Sequence, residues 1–202
     1  GRYGGEVAGR NLQHPTLELG GKNPLVIMRD ADLDNAVQGA IFSAFATGGQ
    51  RCTSAGNIII DAPIYEDFKA KFVAAAKQIK IGNPLDVQDA LYGPFINGRF
   101  FERWSEHYDW GKEDGATLLY GEGRITKDRQ PSGFVGDPDA GYYGYPTIWE
   151  NVTKKMRQFQ NEIFGPTINL VKVDGIDEAI DTANTVNYGL SSAIYTNHRL
   201  WA

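Results

Sequence analysis

Apolar runs and four-residue repeats alternate along the first 90 residues. "NPLVIM" (23–28) is a short apolar run ending at "RDAD", the pattern of a buried strand handing over to a helix. Asp30 or Asp32 can cap that helix, because a carboxylate accepts the free N–H groups of the first turn. Leu33, Val37, Ile41 and Phe45 then recur at every fourth position, and the pair Gly48-Gly49 stops them. "NIIID" (57–61) reads as a second buried strand. In "APIYEDFKAKFVAAAKQIKIG" the residues Ile64, Phe68, Phe72 and Ile79 share one helical face. Glu66 and Asp67 lie early in it and Lys77 and Lys80 late, the order the helix dipole favours. Strand–helix–strand–helix at this spacing predicts parallel strands joined by right-handed crossovers.

Further along, "ATLLY" (116–120), "TINLVKV" (167–173) and "SSAIYT" (191–196) read as strands, with "IDEAIDTAN" (176–184) a helix between the last two. Between residues 121 and 147 the rhythm breaks into Gly, Pro, Asp and Tyr, predicting a long ordered excursion, either a surface insertion, the favoured reading, or a substrate-side or subunit-contact segment. The predicted class is α/β, a parallel-rich open sheet flanked by helices. At 202 residues with 42% apolar and 22% charged side chains, the chain has the make-up of a globular domain with a sizeable core, not of a disordered one. No run of about 18 apolar residues exists to span a membrane, and "GRYGGEVAGR" lacks the apolar centre of a secretory signal. The net charge of −5 and the absence of a basic stripe argue against a nucleic-acid surface. One cysteine cannot form an internal disulfide, which is compatible with a reducing, cytoplasmic setting.

That cysteine, Cys52, is the first candidate for chemistry. A free cysteine is commonly a small buried hydrophobe. Here it lies in "GGQRCTSAGN", among small residues that leave a thiol accessible and let backbone approach a substrate. If "CTSAG" opens a helical turn, its N–H groups favour the thiolate, and Arg51 adds positive potential. The three histidines, His14, His107 and His198, sit in unrelated contexts and form no recognisable dyad with it. Glu18 in "TLELGGKNP" is a carboxylate flanked by Leu17 and Leu19, a setting in which partial desolvation would suit it to act as a base.

"LELGGKNP" followed by "GGQRCTSAGN" resembles the aldehyde dehydrogenase superfamily. The resemblance continues through "YGPFIN" (92–97), "PTIWENVTKKM" (146–156), "NEIFGPTINLVKV" (161–173) and "ANTVNYGLSSAIYT" (183–196), in the family's order over nearly the whole chain. It implies that Cys52 is the nucleophile, attacking an aldehyde to give a thiohemiacetal, and that hydride passes to NAD or NADP to leave a thioester. It implies that the oxyanion is held by the cysteine N–H and an asparagine amide, and that Glu18 activates the water that hydrolyses the thioester. Glu162 and Phe164 of "EIFGP" match the residues that bind the nicotinamide ribose hydroxyls and pack near the nicotinamide. Leu19 matches a position whose backbone faces the carboxamide. No metal is implied; the partners implied are a small aldehyde, a dinucleotide and, at full length, further copies of the chain.

The chain departs from the family pattern at both ends. Only 17 residues precede Glu18, and neither Asn11 nor Asn23 matches the oxyanion asparagine. The expectation is therefore a truncated form: residues 1–19 end a cofactor-domain segment carrying the general base, and 20–202 form a catalytic domain incomplete at its C-terminal end. Two other readings stand beside the dehydrogenase: a cofactor-independent thiol esterase, and a non-catalytic binding or structural module that retains the fold.

Overall fold

In the computed structural model, which describes residues 1–121 and 123–201, the chain forms a mixed sheet covered on both faces by helices. The helices are α1 (Arg2–Arg10), α2 (Leu33–Phe45), α3 (Tyr65–Ala76), α4 (Gly98–Glu113), α5 (Arg157–Gln160) and α6 (Gly175–Ala183). The strands are β1 (Asn23–Ile27), β2 (Ala55–Asp61), β3 (Ile81–Gly82), β4 (Thr117–Tyr120), β5 (Phe134–Val135), β6 (Thr147–Glu150), β7 (Thr167–Val173) and β8 (Ala193–Tyr195). Among the described residues the main sheet has six strands in the order β4-β6-β7-β2-β1-β8, and β3 pairs with β5 apart from it. Every pairing in the main sheet is parallel except β4 with β6. This is the predicted α/β class.

The three central strands show why. All seven residues of β2 are buried, and β7 exposes only Lys172, so both read as near-continuous apolar runs. Pro24 is tolerated in β1 because the register slips between Asn23 and Pro24, where no ladder N–H is needed. Alternation sends Leu25, Ile27, Ile58, Ile60, Ile168 and Leu170 to one face, where Ala40, Phe45, Phe68 and Phe72 of α2 and α3 cover them. Val26, Ile59, Val171 and Val173 face the other way, against Phe159 of α5 and Ala179 of α6. Asp32 is the cap of α2, accepting from the N–H groups of Asp34 and Asn35, both at 3.1 Å. Asp30 instead accepts from Thr196 Oγ1 and the Asn197 N–H, fastening the end of β8.

Two expectations need correction. α4 is not anticipated by the aliphatic repeats, because its buried side is Phe101, Trp104, His107 and Gly111. Gly111 is there for space: a Cβ would lie 2.8 Å from the Trp149 ring. The excursion after β4 is not a mere surface insertion either. Ile125, Tyr143 and Tyr145 on its two stems are buried in the main core, and Ile125 and Tyr145 are tied by backbone bonds to Tyr143 and Gly123. Among the described residues no helix is long and apolar enough to cross a membrane.

Candidate active site

β1, β2 and β7 are parallel neighbours, so the segments entering them arrive at one edge of the sheet. Those segments are 18–22, 48–54 and 161–166, the three motif-bearing stretches of the sequence. Chain topology thus gathers positions far apart in sequence without any of them leaving its own strand.

Glycines set how closely the segments meet. A Cβ on Gly49 would lie 2.2 Å from the Gly165 carbonyl oxygen, and Gly49 has φ +64°, so only glycine serves there. Gly20 is pressed against Glu162, whose Oε2 would be 2.0 Å from an added Cβ. Gly21 is pressed against the Cys52 carbonyl at 2.5 Å in the same sense. The Gly21 N–H donates to Glu162 Oε1 at 3.1 Å. Asn23 Nδ2 donates to the carbonyls of Cys52 and Ser54, both at 2.8 Å, while its Oδ1 accepts from the Ser191 N–H at 3.1 Å. Asn23 therefore fixes the cysteine-bearing turn from behind. With its amide committed to two carbonyls, it is no oxyanion donor, as the sequence had suggested.

Glu18, Leu19, Cys52, Glu162 and Phe164 all line one open cleft of about 710 Å³, together with Gly20, Gln50, Arg51 and Thr53. Cys52 is partly buried, and its backbone N–H has no acceptor among the described residues. No helix opens at Cys52; residues 51–54 form a turn and β2 begins at Ala55. Arg51 turns away from the thiol, donating to the Phe42 carbonyl at 3.1 Å and lying 5.2 Å from the Phe42 ring. The expected helical turn is absent because the chain runs straight from residues 51–54 into a buried strand. Glu18 lies on an exposed extended segment, with Leu17 and Leu19 45% and 50% exposed, so its neighbours do not desolvate it. Phe164 is held at φ +57°, a strained conformation for an aromatic residue, with its ring 6.2 Å from that of Phe100. Strain of this kind collects at functional sites and costs roughly 1–3 kcal/mol.

The model described as "Aldehyde dehydrogenase family" matches residues 1–200. The chain belongs to the aldehyde dehydrogenase family. It is 40% identical over 182 residues to the alpha-ketoglutaric semialdehyde dehydrogenase of Bacillus subtilis, covering 90% of this chain and 36% of that protein. It is 37% identical over 190 residues to the betaine aldehyde dehydrogenase of Mesorhizobium japonicum, covering 94% of this chain and 37% of that one. The crystal structure of Staphylococcus aureus betaine aldehyde dehydrogenase in complex with NAD+ superimposes with a TM-score of 0.89 at 31% identity, over 100% of this chain and 39% of that one. This aldehyde dehydrogenase chain therefore spans well under half the length of the relatives it matches.

Glu162 brings carboxylate oxygens, which can accept from hydroxyl groups, and Phe164 brings an aromatic ring to the same cleft as Cys52. The only cationic side chain lining the cleft is Arg51, already engaged with α2, so no cation is turned to a pyrophosphate. Among the described residues no group of His, Cys, Asp and Glu is arranged to hold a metal ion.

Sequence reasoning missed Lys22 beside this cleft and the role of Asn23 in tying the cysteine-bearing turn. Lys22 is 2% exposed, its stem lying on Gly56, and burial lowers its pKa from 10.5 to about 7 against the opposing pull of Glu162. The available signal was position: Lys22 immediately precedes β1 and Asn23 opens it, at the entry to a buried strand.

Proposed function

We propose that the protein oxidises an aldehyde to a carboxylic acid with NAD or NADP, using Cys52 as nucleophile and Glu18 as general base. The observation that carries this reading is the convergence of Cys52, Glu18, Glu162 and Phe164 on one cleft. The Cys52 sulfur adds to the aldehyde carbon, and the new alkoxide faces the Cys52 N–H, which has no other acceptor among the described residues. Glu162 would hold the ribose hydroxyls of the dinucleotide and Phe164 would back its ring, on the same cleft as the Cys52 adduct. The bound dinucleotide supplies the hydride acceptor. The thiol proton leaves to solvent as the sulfur adds, and loss of hydride from the alkoxide then leaves a thioester on Cys52. Glu18, exposed at the cleft, takes a proton from water, which attacks the thioester and releases the acid and the free thiol.

The domain reading follows the same lines: residues 1–19 bring the base, and residues 20–202 carry the nucleophile and the ribose-binding carboxylate. Aldehyde-dependent reduction of NAD by the whole protein tests the function. It should be abolished by alkylation of Cys52, the only thiol in the sequence. Ester hydrolysis that is sensitive to alkylation, without any NAD reduction, would establish the esterase instead. Loss of neither activity on alkylation would remove Cys52 from the chemistry.

A further inference from the structure

Behind the cleft lies a second, smaller cavity of about 20 Å³, lined by Lys22, Arg51, Ser54, Gly56, Glu162, Thr167 and neighbouring backbone. It is the size that holds a single water. Ser54 is 9% exposed, and its Oγ has no hydrogen-bond partner among the described residues. Glu162 lines this cavity and the open cleft alike, so it is the wall between them. On the cleft side its carboxylate would meet the cofactor ribose. On the inner side it is held by the Gly21 N–H, by contact with Gly20 and by the field of Lys22.

Resting on the dehydrogenase reading above, we infer that Lys22 is a positioning residue: its buried ammonium holds the Glu162 carboxylate in the orientation that binds dinucleotide. A buried cation with no carboxylate beside it would simply be expelled or neutralised. Here the lysine stem is trapped, since any side chain at position 56 would come within 2.5 Å of its Cδ. The groups that face Lys22 are few. Glu162 favours its charged form, while the pKa of His107 of α4 is lowered chiefly by burial, with the charges of Arg103 and Lys22 adding to the shift. His107 Nδ1 donates to the Arg103 carbonyl at 2.6 Å, so it offers Lys22 no anion. Arg51, the remaining charge on the cavity, is turned to Phe42. Because burial brings Lys22 to about 7, its charge is lost as pH rises through neutrality, and the hold on Glu162 is lost with it.

Two measurements on the whole protein test this. Calorimetric titration with NAD should show wild-type Kd rising about 5- to 10-fold between about pH 6 and about pH 8.5, the ordinary range of a coupling between sites. Lys22→Met, of similar volume, should bind about 10-fold more weakly at about pH 6 and show no such pH dependence. Separately, the 13Cε resonance of Lys22 should titrate near neutrality, and Glu162→Gln should move its midpoint down, because the carboxylate favours the ammonium. Unchanged pH dependence of NAD binding in Lys22→Met, with NAD still bound, overturns the inference and leaves the dehydrogenase reading standing. A Lys22 midpoint indifferent to Glu162→Gln overturns it without reference to cofactor. Failure of the wild-type protein to bind NAD at all overturns the dehydrogenase reading and, with it, the cofactor half of this inference.

Discussion

Gly20, Gly21, Lys22 and Asn23 are four consecutive residues, and each is fixed by a different part of the site. Gly20 makes room for the Glu162 carboxylate and Gly21 for the Cys52 carbonyl, Lys22 charges the inner wall, and Asn23 ties the cysteine turn. The buried lysine has a cost that pH exposes. Its folded pKa of about 7 lies below the unfolded value of 10.5, so between these values the unfolded chain binds more protons. Stability from this group therefore rises with pH across that window and is lost as pH falls toward neutrality. Lys22→Met lacks the penalty, so its stability relative to wild type should be greatest near pH 7 and shrink by up to about 1.4 kcal/mol per pH unit above it. Urea unfolding of both proteins at several pH values measures this. A difference that stays constant from neutral to alkaline pH would mean that Lys22 titrates as an ordinary surface lysine.

At the scale of elements, the site depends on turns that let neighbouring strands be entered at one edge. Thr47, Gly48 and Gly49 are successive residues of positive φ, and Gly49 abuts the Gly165 carbonyl. Gly165 in turn leaves room for the Trp104 indole, whose Nε1 donates to Thr167 Oγ1 at 2.8 Å. Gly49→Ala adds a Cβ at 2.2 Å from backbone and asks alanine to hold φ +64°. It should destabilise the fold by about 2–4 kcal/mol and slow alkylation of Cys52 as the turn shifts. Thermal melts with a labelling time course would show this; wild-type values of both would mean that the two loops do not interlock. The strands β1, β2, β4, β7 and β8 and the helices α2, α3 and α6 were legible in the sequence because aliphatic side chains recur on one face or fill a buried run, whereas β6 and the two-residue β3 and β5 were not. α4 was not, because aromatics, a histidine and a glycine cover the core there. The cleft residues were legible through motif resemblance, while the exposure of Glu18 and the turn of Arg51 were not. Both depend on what packs against a side chain, which spacing does not encode.

For the whole molecule, the arrangement departs from the usual rule that open α/β sheets carry ligands at the carboxyl ends of their strands. Here the cleft sits at the amino ends of β1, β2 and β7, because the reactive residues immediately precede those strands. The sheet then acts as a rigid comb: three parallel strands in fixed register set the spacing of the three loops. This spacing should support covalent oxidation at Cys52 with hydrolysis assisted by Glu18. Glu18→Gln keeps the shape of the base and removes its proton-accepting capacity, so the acylated enzyme should accumulate. The most direct measurement is the mass of the Cys52 peptide from the whole Glu18→Gln protein, quenched after mixing with an aldehyde and NAD. The expected result is a gain equal to the aldehyde less two hydrogens, on that peptide alone, only when NAD is present, together with a matching burst of NADH. An unmodified Cys52 peptide alongside NADH formation, or the same adduct without NAD, would contradict it.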